Sequence, residues 1–258
     1  MKTALLKINI SLAFLFLLSV NQLSVFAQKF EDLFQKGVAM EKQLNEKNAL
    51  LYYCEAQKIK PSDLTVLYKC SELFGRVGAR EKKQDEKEKY FLSSLSFARM
   101  ALKLHPQSDE SNLAMSIAQG RIALSKSGKE KITAVKEIKL FAQRALSINP
   151  DNSKAWHVLG KWYFEVSNLN FVERAAIKII YGGLPDASFE KAVQAYEKAA
   201  TINTHFLLNY LELAKAYDKL DQKVKAVSCL NKIAAETSYT EDDVFIKKQA
   251  EQLLLQWK

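Results

Sequence analysis

The chain has 258 residues, 48% of them hydrophobic and 26% charged, with a formal net charge of +9. This is an ordinary globular balance, and with 8 glycines and 4 prolines it predicts a chain that is mostly helix. The basic excess is spread along the sequence without a lysine–arginine block, which weighs against nucleic acid as a partner.

Residues 1–27 stand apart. Lys2 and Lys7 precede the apolar run "INISLAFLFLLSV", and Val25 and Ala27 follow at cleavage-site spacing. The pattern predicts a secretory signal peptide cut after Ala27, leaving 28–258 as one repeat domain with 36 basic and 29 acidic residues. The apolar run is about 13 residues, shorter than the ~20 that span a bilayer, and no later run is long enough either. The residue directly after the cut is Gln28 and not a cysteine, against a lipid anchor. The expected location is therefore the periplasm or the exterior. Of three cysteines, Cys54 and Cys70 fall in neighbouring expected helices and are close enough in register to pair; buried free thiols are the favoured reading.

Downstream, the prolines act as a ruler. Pro61, Pro106 and Pro150 close the segments "AQKIKP", "ALKLHP" and "ALSINP". Ten residues after each comes a small residue, Ser71, Ser116 or Gly160, and five before each an alanine, Ala56, Ala101 or Ala145. Small residues on two antiparallel helices let them approach, an aromatic fills the space beside them, and proline stops the second helix. Trp156, Leu159, Gly160 and Tyr163 add the W-x2-L-G-x2-Y spacing of a tetratricopeptide hairpin. Continued in both directions, the ruler gives five units, about 30–61, 64–106, 109–150, 153–204 and 207–237, with a capping helix at 240–257. The expected fold is all-α, a solenoid of stacked hairpins.

The spacing between the small residues of a hairpin is 12 in the outer units (Gly37 to Ala49, Ala214 to Ala226). In the middle units it is 23, 22 and 32 (Ser71 to Ser94, Ser116 to Ile138, Gly160 to Ala192), so three hairpins are extended. Ser94, Asn112 and Ile138 fit the ruler poorly. "AREKKQDEKEKYF" reads as a longer solvated helix, and "SKSGKE" as a loop before a helix from about Glu130 to Ile148. "NLNFVERAAIKIIYG" reads as an extra helix capped by Asn170, stopped at Gly182–Gly183, and packed back through Phe171, Ala175 and Ile179. A threonine cap at Thr240 and the acids after it start the last helix.

The second half resembles the regulator of microtubule dynamics family from roughly Glu130 to Trp257. The residues that carry this are Leu159–Ser167 (an LGRW-Y-VS block), Asn170–Arg174, the P-A-S-x-E-x-A block Pro185–Ala192, and the T-x-E-D helix start Thr240–Asp243. Lys161 stands where the family often has arginine, and Phe171 where it often has tryptophan. The resemblance implies the helical-repeat fold. The resemblance also implies the intracellular association of animal members with microtubules or organelle membranes, which is at odds with the expected export.

No nucleophile–base set, P-loop, zinc spacing or histidine pair at metal-ligand spacing occurs, so the reading is a non-enzyme without metal or cofactor. Glu173–Arg174 reads as a surface ion pair. The expected function is an exported scaffold that binds a protein or peptide, with a binder of lipid or another amphiphile as the alternative. On the first helix of the fourth unit, Lys154, His157, Lys161 and Phe164 share the face that lines the concave groove of such stacks. Matching positions are Arg76, Arg121, Leu208, Leu211, Lys215 and Lys219, together with Phe34, Val38, Tyr68 and Leu113. A groove mixing apolar and cationic groups suits an acidic peptide or an anionic lipid head.

Overall fold

A computed structural model describes residues 26–257 except 125, 127 and 182–185, and within helices not the side chains of 128, 129, 132, 176, 177, 180 and 181. Most of the expected leader thus lies outside the described residues. Those described form twelve helices and no strand. Residues 26–42 form α1, followed by α2 (Glu46–Ile59), α3 (Leu64–Arg80), α4 (Gln84–Leu104), α5 (Asp109–Ala123) and α6 (Gly128–Ile148). Then come α7 (Ser153–Ser167), α8 (Phe171–Tyr181), α9 (Phe189–Ile202), α10 (Leu207–Lys219), α11 (Lys223–Ala235) and α12 (Glu241–Trp257). Five antiparallel hairpins stack in order, α8 is an insertion between the two helices of the fourth, and α12 packs on α10 and α11.

The ruler positions are where the helices of each hairpin meet. A Cβ on Gly160 would lie 2.7 Å from the Tyr196 ring, and one on Gly37 would lie 2.7 Å from Tyr53, so only glycine admits the aromatic at these crossings. Both tyrosines are fully buried. The poorly fitting positions are polar solutions to the same crossing. Ser71 Oγ donates to the Ser94 carbonyl (2.9 Å) and Ser94 Oγ to the Ser71 carbonyl (2.7 Å); Ser116 Oγ donates to the Ile138 carbonyl at 2.7 Å. Buried hydroxyls facing backbone carbonyls are satisfied, so serine replaces glycine without an orphaned group. Asn112, buried where the other units carry a bulky side chain, donates to the carbonyls of Pro106 and Ser108 and ties down the turn.

The two hairpins of normal length share a turn. Leu44 and Asp221 have φ of 55° and 61°, each seven residues after its small residue. In both, this residue's N–H bonds the carbonyl three back and the next N–H the carbonyl five back. That is the Schellman helix stop, here built without glycine.

The extensions differ from expectation in detail. The second hairpin is not lengthened by one helix; α3 ends at Arg80 and α4 starts at Gln84. α8 is helical, with Asn170 Oδ1 accepting from Glu173 N (2.9 Å) and Glu173 Oε2 accepting from Asn170 N (3.0 Å), a reciprocal capping box. Its expected packing is corrected: Phe171, Ala175 and Ile179 are exposed, Phe171 by 86% and Ile179 by 81%. Glu173 is committed to the cap, and Arg174 binds the carbonyls of Ser167 (2.7 Å) and Leu169 (3.0 Å), so the two form no ion pair. The glycines expected to stop α8 lie outside the described residues. At α12 the caps are carboxylates: Asp243 accepts from the N–H groups of Tyr239 and Thr240, and Glu46 from that of Glu241. Cys54, Cys70 and Cys229 are free thiols, with 4.0 Å between the sulfurs of Cys54 and Cys70.

Candidate functional site

The first helices of successive hairpins (α3, α5, α7, α10) lie side by side, and the expected groove residues Arg76, Arg121, the α7 set and the α10 set belong to these helices. Lys154 on α7 reaches across to α3, where it binds Glu72 and the Tyr68 hydroxyl (3.0 Å). Burial alone would raise the Glu72 carboxyl, but Lys154, Arg76 and Lys69 outweigh it and hold its pKa down to about 2. Burial also opposes the Lys154 charge, yet Glu72 and Tyr68 raise its pKa. Further along, Lys161 and Lys215 share buried Glu212, at 2.7 and 2.8 Å, and Lys161 also meets Glu165 at 2.7 Å. Lys219 is exposed.

Arg76 belongs to a larger cluster. Glu46, 1% exposed, receives Arg76 and Arg80, while Asp242 at the start of α12 is 3.4 Å from Arg76 and 2.5 Å from Arg80. Glu241 binds Arg80 at 2.6 Å. Side chains of the first two hairpins thereby meet the capping helix, some 160 residues later in the chain, and close the inner face at that side. A carboxylate capping the α12 amides adds a favourable helix-dipole contact.

Two groove residues are core: Leu211 is 1% exposed, and buried Phe164 packs on Phe189, while Leu208 is half-buried against the C-terminal core. Leu113 and Tyr68 are buried in the central core, and Phe34 and Val38 pack on the N-terminal one. His157 is buried between Tyr196 and Phe206, with Nδ1 3.1 Å from Asn209 Oδ1. Burial pushes its pKa down to about 4, so it is neutral at pH 7.

Two of the groove cations, exposed Lys219 and half-buried Arg121, have no salt bridge among the described residues, and Arg121 is the more enclosed. No carboxylate lies within ion-pair distance of it among the described residues, although Arg76, Lys154, Lys161 and Lys215 each have one. Its side chain lies beside Gly75 on α3, and its charge acts on Asp242, Arg76, Arg80 and His157. Burial lowers its pKa, Asp242 works against that, and the two neighbouring arginines add to it. The sequence reading missed the acids. Glu72 follows Ser71 as Lys161 follows Gly160 and Lys215 follows Ala214, so the ruler already placed a carboxylate in the groove row. Among the described residues no cluster of histidine, cysteine or carboxylates is arranged to hold a metal, and no helix is long and apolar enough to cross a membrane.

The fold is similar to solved helical-repeat proteins. A thermophilic TPR protein of Thermus thermophilus (TTC0263) matches with a TM-score of 0.63 at 14% identity, over 88% of this chain and 99% of its own. Pseudomonas aeruginosa pilF matches with a TM-score of 0.52, also at 14% identity, over 90% of each chain. Among curated relatives, regulator of microtubule dynamics protein 1 of Bos taurus is 26% identical over 79% of this chain and 65% of its own length. The Mus musculus protein of the same name is 25% identical over 79% of this chain and 68% of its own. The chain thus spans about two thirds of the length of these relatives. The family model "Regulator of microtubule dynamics protein 1-3" matches residues 29–258, extending the resemblance through the N-terminal half. The chain belongs to the regulator of microtubule dynamics protein 1-3 family.

Proposed function

We propose that this protein is a non-enzymatic scaffold that takes an extended acidic segment of a partner protein on its inner face. The observation that carries the reading is Arg121: a guanidinium on the facing surface of stacked helices, desolvated, and without a carboxylate partner among the described residues. A carboxylate brought by a ligand would gain a charge-assisted, two-pronged hydrogen bond there without breaking an internal pair. The fold supports the same reading, since stacked helical hairpins bind extended partners along their inner surface.

In this account the cells export the protein through residues 1–27, so the partner is an exported or surface protein and not tubulin. N-terminal sequencing of protein recovered outside the cytoplasm should begin at Gln28; a chain retained in the cytosol with residues 1–27 intact would remove this part of the proposal. Binding itself is tested with immobilised protein and a random peptide library. Sequences rich in aspartate and glutamate should be enriched, and Arg121→Ala should weaken the selected peptides at least about tenfold, or ~1.4 kcal/mol. Enrichment of amphiphiles or neutral peptides indifferent to Arg121→Ala would overturn the reading.

A further inference from the structure

The insertion in the fourth hairpin leaves an apolar face open. On α8, Phe171, Val172, Ala175 and Ile179 fall within about 100° of one face, and all four are exposed. Phe171, Val172 and Ile179 are 86%, 74% and 81% exposed. Among the described residues α8 touches the stack through α6 and, by the Arg174 side chain, through the end of α7. An isolated helix of 11 residues is marginal in water. The capping box and the two carbonyl bonds of Arg174 help to hold this one.

The charges of α8 say what the face meets. Arg174 and Lys178, four residues apart, border the apolar face on one side, and both are exposed. Neither has a carboxylate within ion-pair distance among the described residues, and the single acid of the helix, Glu173, is committed to the cap. The hairpin ends along the same edge of the stack expose Leu124 and Val224 as well. Apolar side chains flanked by unneutralised basic ones are the signature of a helix lying in the plane of a lipid–water interface. A second copy of the chain would set the same basic border against itself, and the chain as a whole carries +9.

We propose that α8 is an interfacial docking helix. It seats Phe171, Val172 and Ile179 at the acyl boundary of an anionic lipid surface while Arg174 and Lys178 lie against the headgroups. The stack then stands on the membrane by its hairpin-tip edge and its inner face stays free.

The test is co-sedimentation of the intact protein with phosphatidylcholine vesicles, with and without phosphatidylglycerol, combined with hydrogen exchange of residues 171–181. The protein should pellet with the phosphatidylglycerol vesicles and not with phosphatidylcholine alone, and the amides of α8 should gain protection there. Phe171→Ser together with Ile179→Ser should weaken vesicle binding at least about tenfold, and Lys178→Glu should weaken it on anionic vesicles only. These side chains are exposed, so circular dichroism should be unchanged. Failure to pellet, equal pelleting of the double variant, or protection elsewhere than α8 overturns the proposal. So does a concentration-dependent dimer abolished by the same double variant in the absence of vesicle binding, which would assign the face to a second copy. Arg121→Ala should leave vesicle binding intact, so this result stands or falls separately from the inner-face reading.

Discussion

The inner face and α8 make opposite use of their side chains. On the inner face, most charged groups are bound to one another: Lys154 to Glu72, Lys161 and Lys215 to Glu212, Arg76 and Arg80 to Glu46 and Asp242. On α8, Phe171, Val172 and Ile179 face outward. A basic residue on the inner face is therefore mostly part of the framework, and Phe171, Val172 and Ile179 on α8 are not. Exposure, not residue type, separates structure from surface here.

The sharpest way to break the comparison is Glu46→Ala. It leaves Arg76 and Arg80 without their buried carboxylate and the Glu241 N–H without its acceptor. Removing one partner of a buried pair costs about 3–5 kcal/mol, read by urea unfolding. Hydrogen exchange should quicken at the start of α12. A loss comparable to that of an ordinary surface mutation would show that the inner cluster is not structural.

Acid comes next. His157 is neutral in the fold, with a pKa of about 4 against 6.5 when unfolded. The unfolded chain therefore takes up the proton first, and stability present above pH 6.5 falls as pH drops toward 4. The loss reaches about 3 kcal/mol. Glu72, held down to about 2, continues the fall below the ordinary carboxylate range, because the unfolded carboxyl protonates before the folded one. His157→Asn should flatten the upper part of a stability–pH profile and leave the lower part. A wild-type profile level between pH 7 and 4 would contradict the burial argument.

Gly160→Leu should cost about 1–3 kcal/mol by overpacking, since the added Cβ meets the ring of a fully buried tyrosine that has nowhere to move. Thermal melting in parallel with Phe171→Ser/Ile179→Ser sharpens the contrast. The α8 pair should melt within about 0.5 kcal/mol of wild type. A large loss there would mean that α8 packs on the stack after all.

Most of the fold was legible because repeats restate their constraints. A small residue, an alanine five residues before a proline, and a fixed ten-residue step recur often enough to reveal one crossing geometry. The polar variants were harder, since Ser71, Ser94 and Asn112 satisfy the geometry through hydrogen bonds that spacing does not display. In the groove row the sequence reading named cations and not the carboxylates that most of them bind. Pairing depends on which unit faces which, so the contact of Arg76 and Arg80 with Asp242 is invisible in a unit-by-unit reading. One consequence is practical. Reversing Lys161 and Lys215, the natural test from sequence, would surround buried Glu212 with acids and damage the fold, whereas Arg121 can be changed without orphaning a carboxylate. The helix of the insertion was legible from Asn170 and its apolar spacing, but periodicity alone does not say whether an apolar face has a partner.

The central claim is that Arg121 is the inner-face group left for a ligand. Isothermal titration of a library-selected acidic peptide into wild type, Arg121→Ala and Phe171→Ser/Ile179→Ser tests it most directly. The account predicts at least about a tenfold loss for Arg121→Ala, weakening with added salt, and unchanged affinity for the α8 variant. Equal affinity for wild type and Arg121→Ala, or a loss confined to the α8 variant, would contradict it.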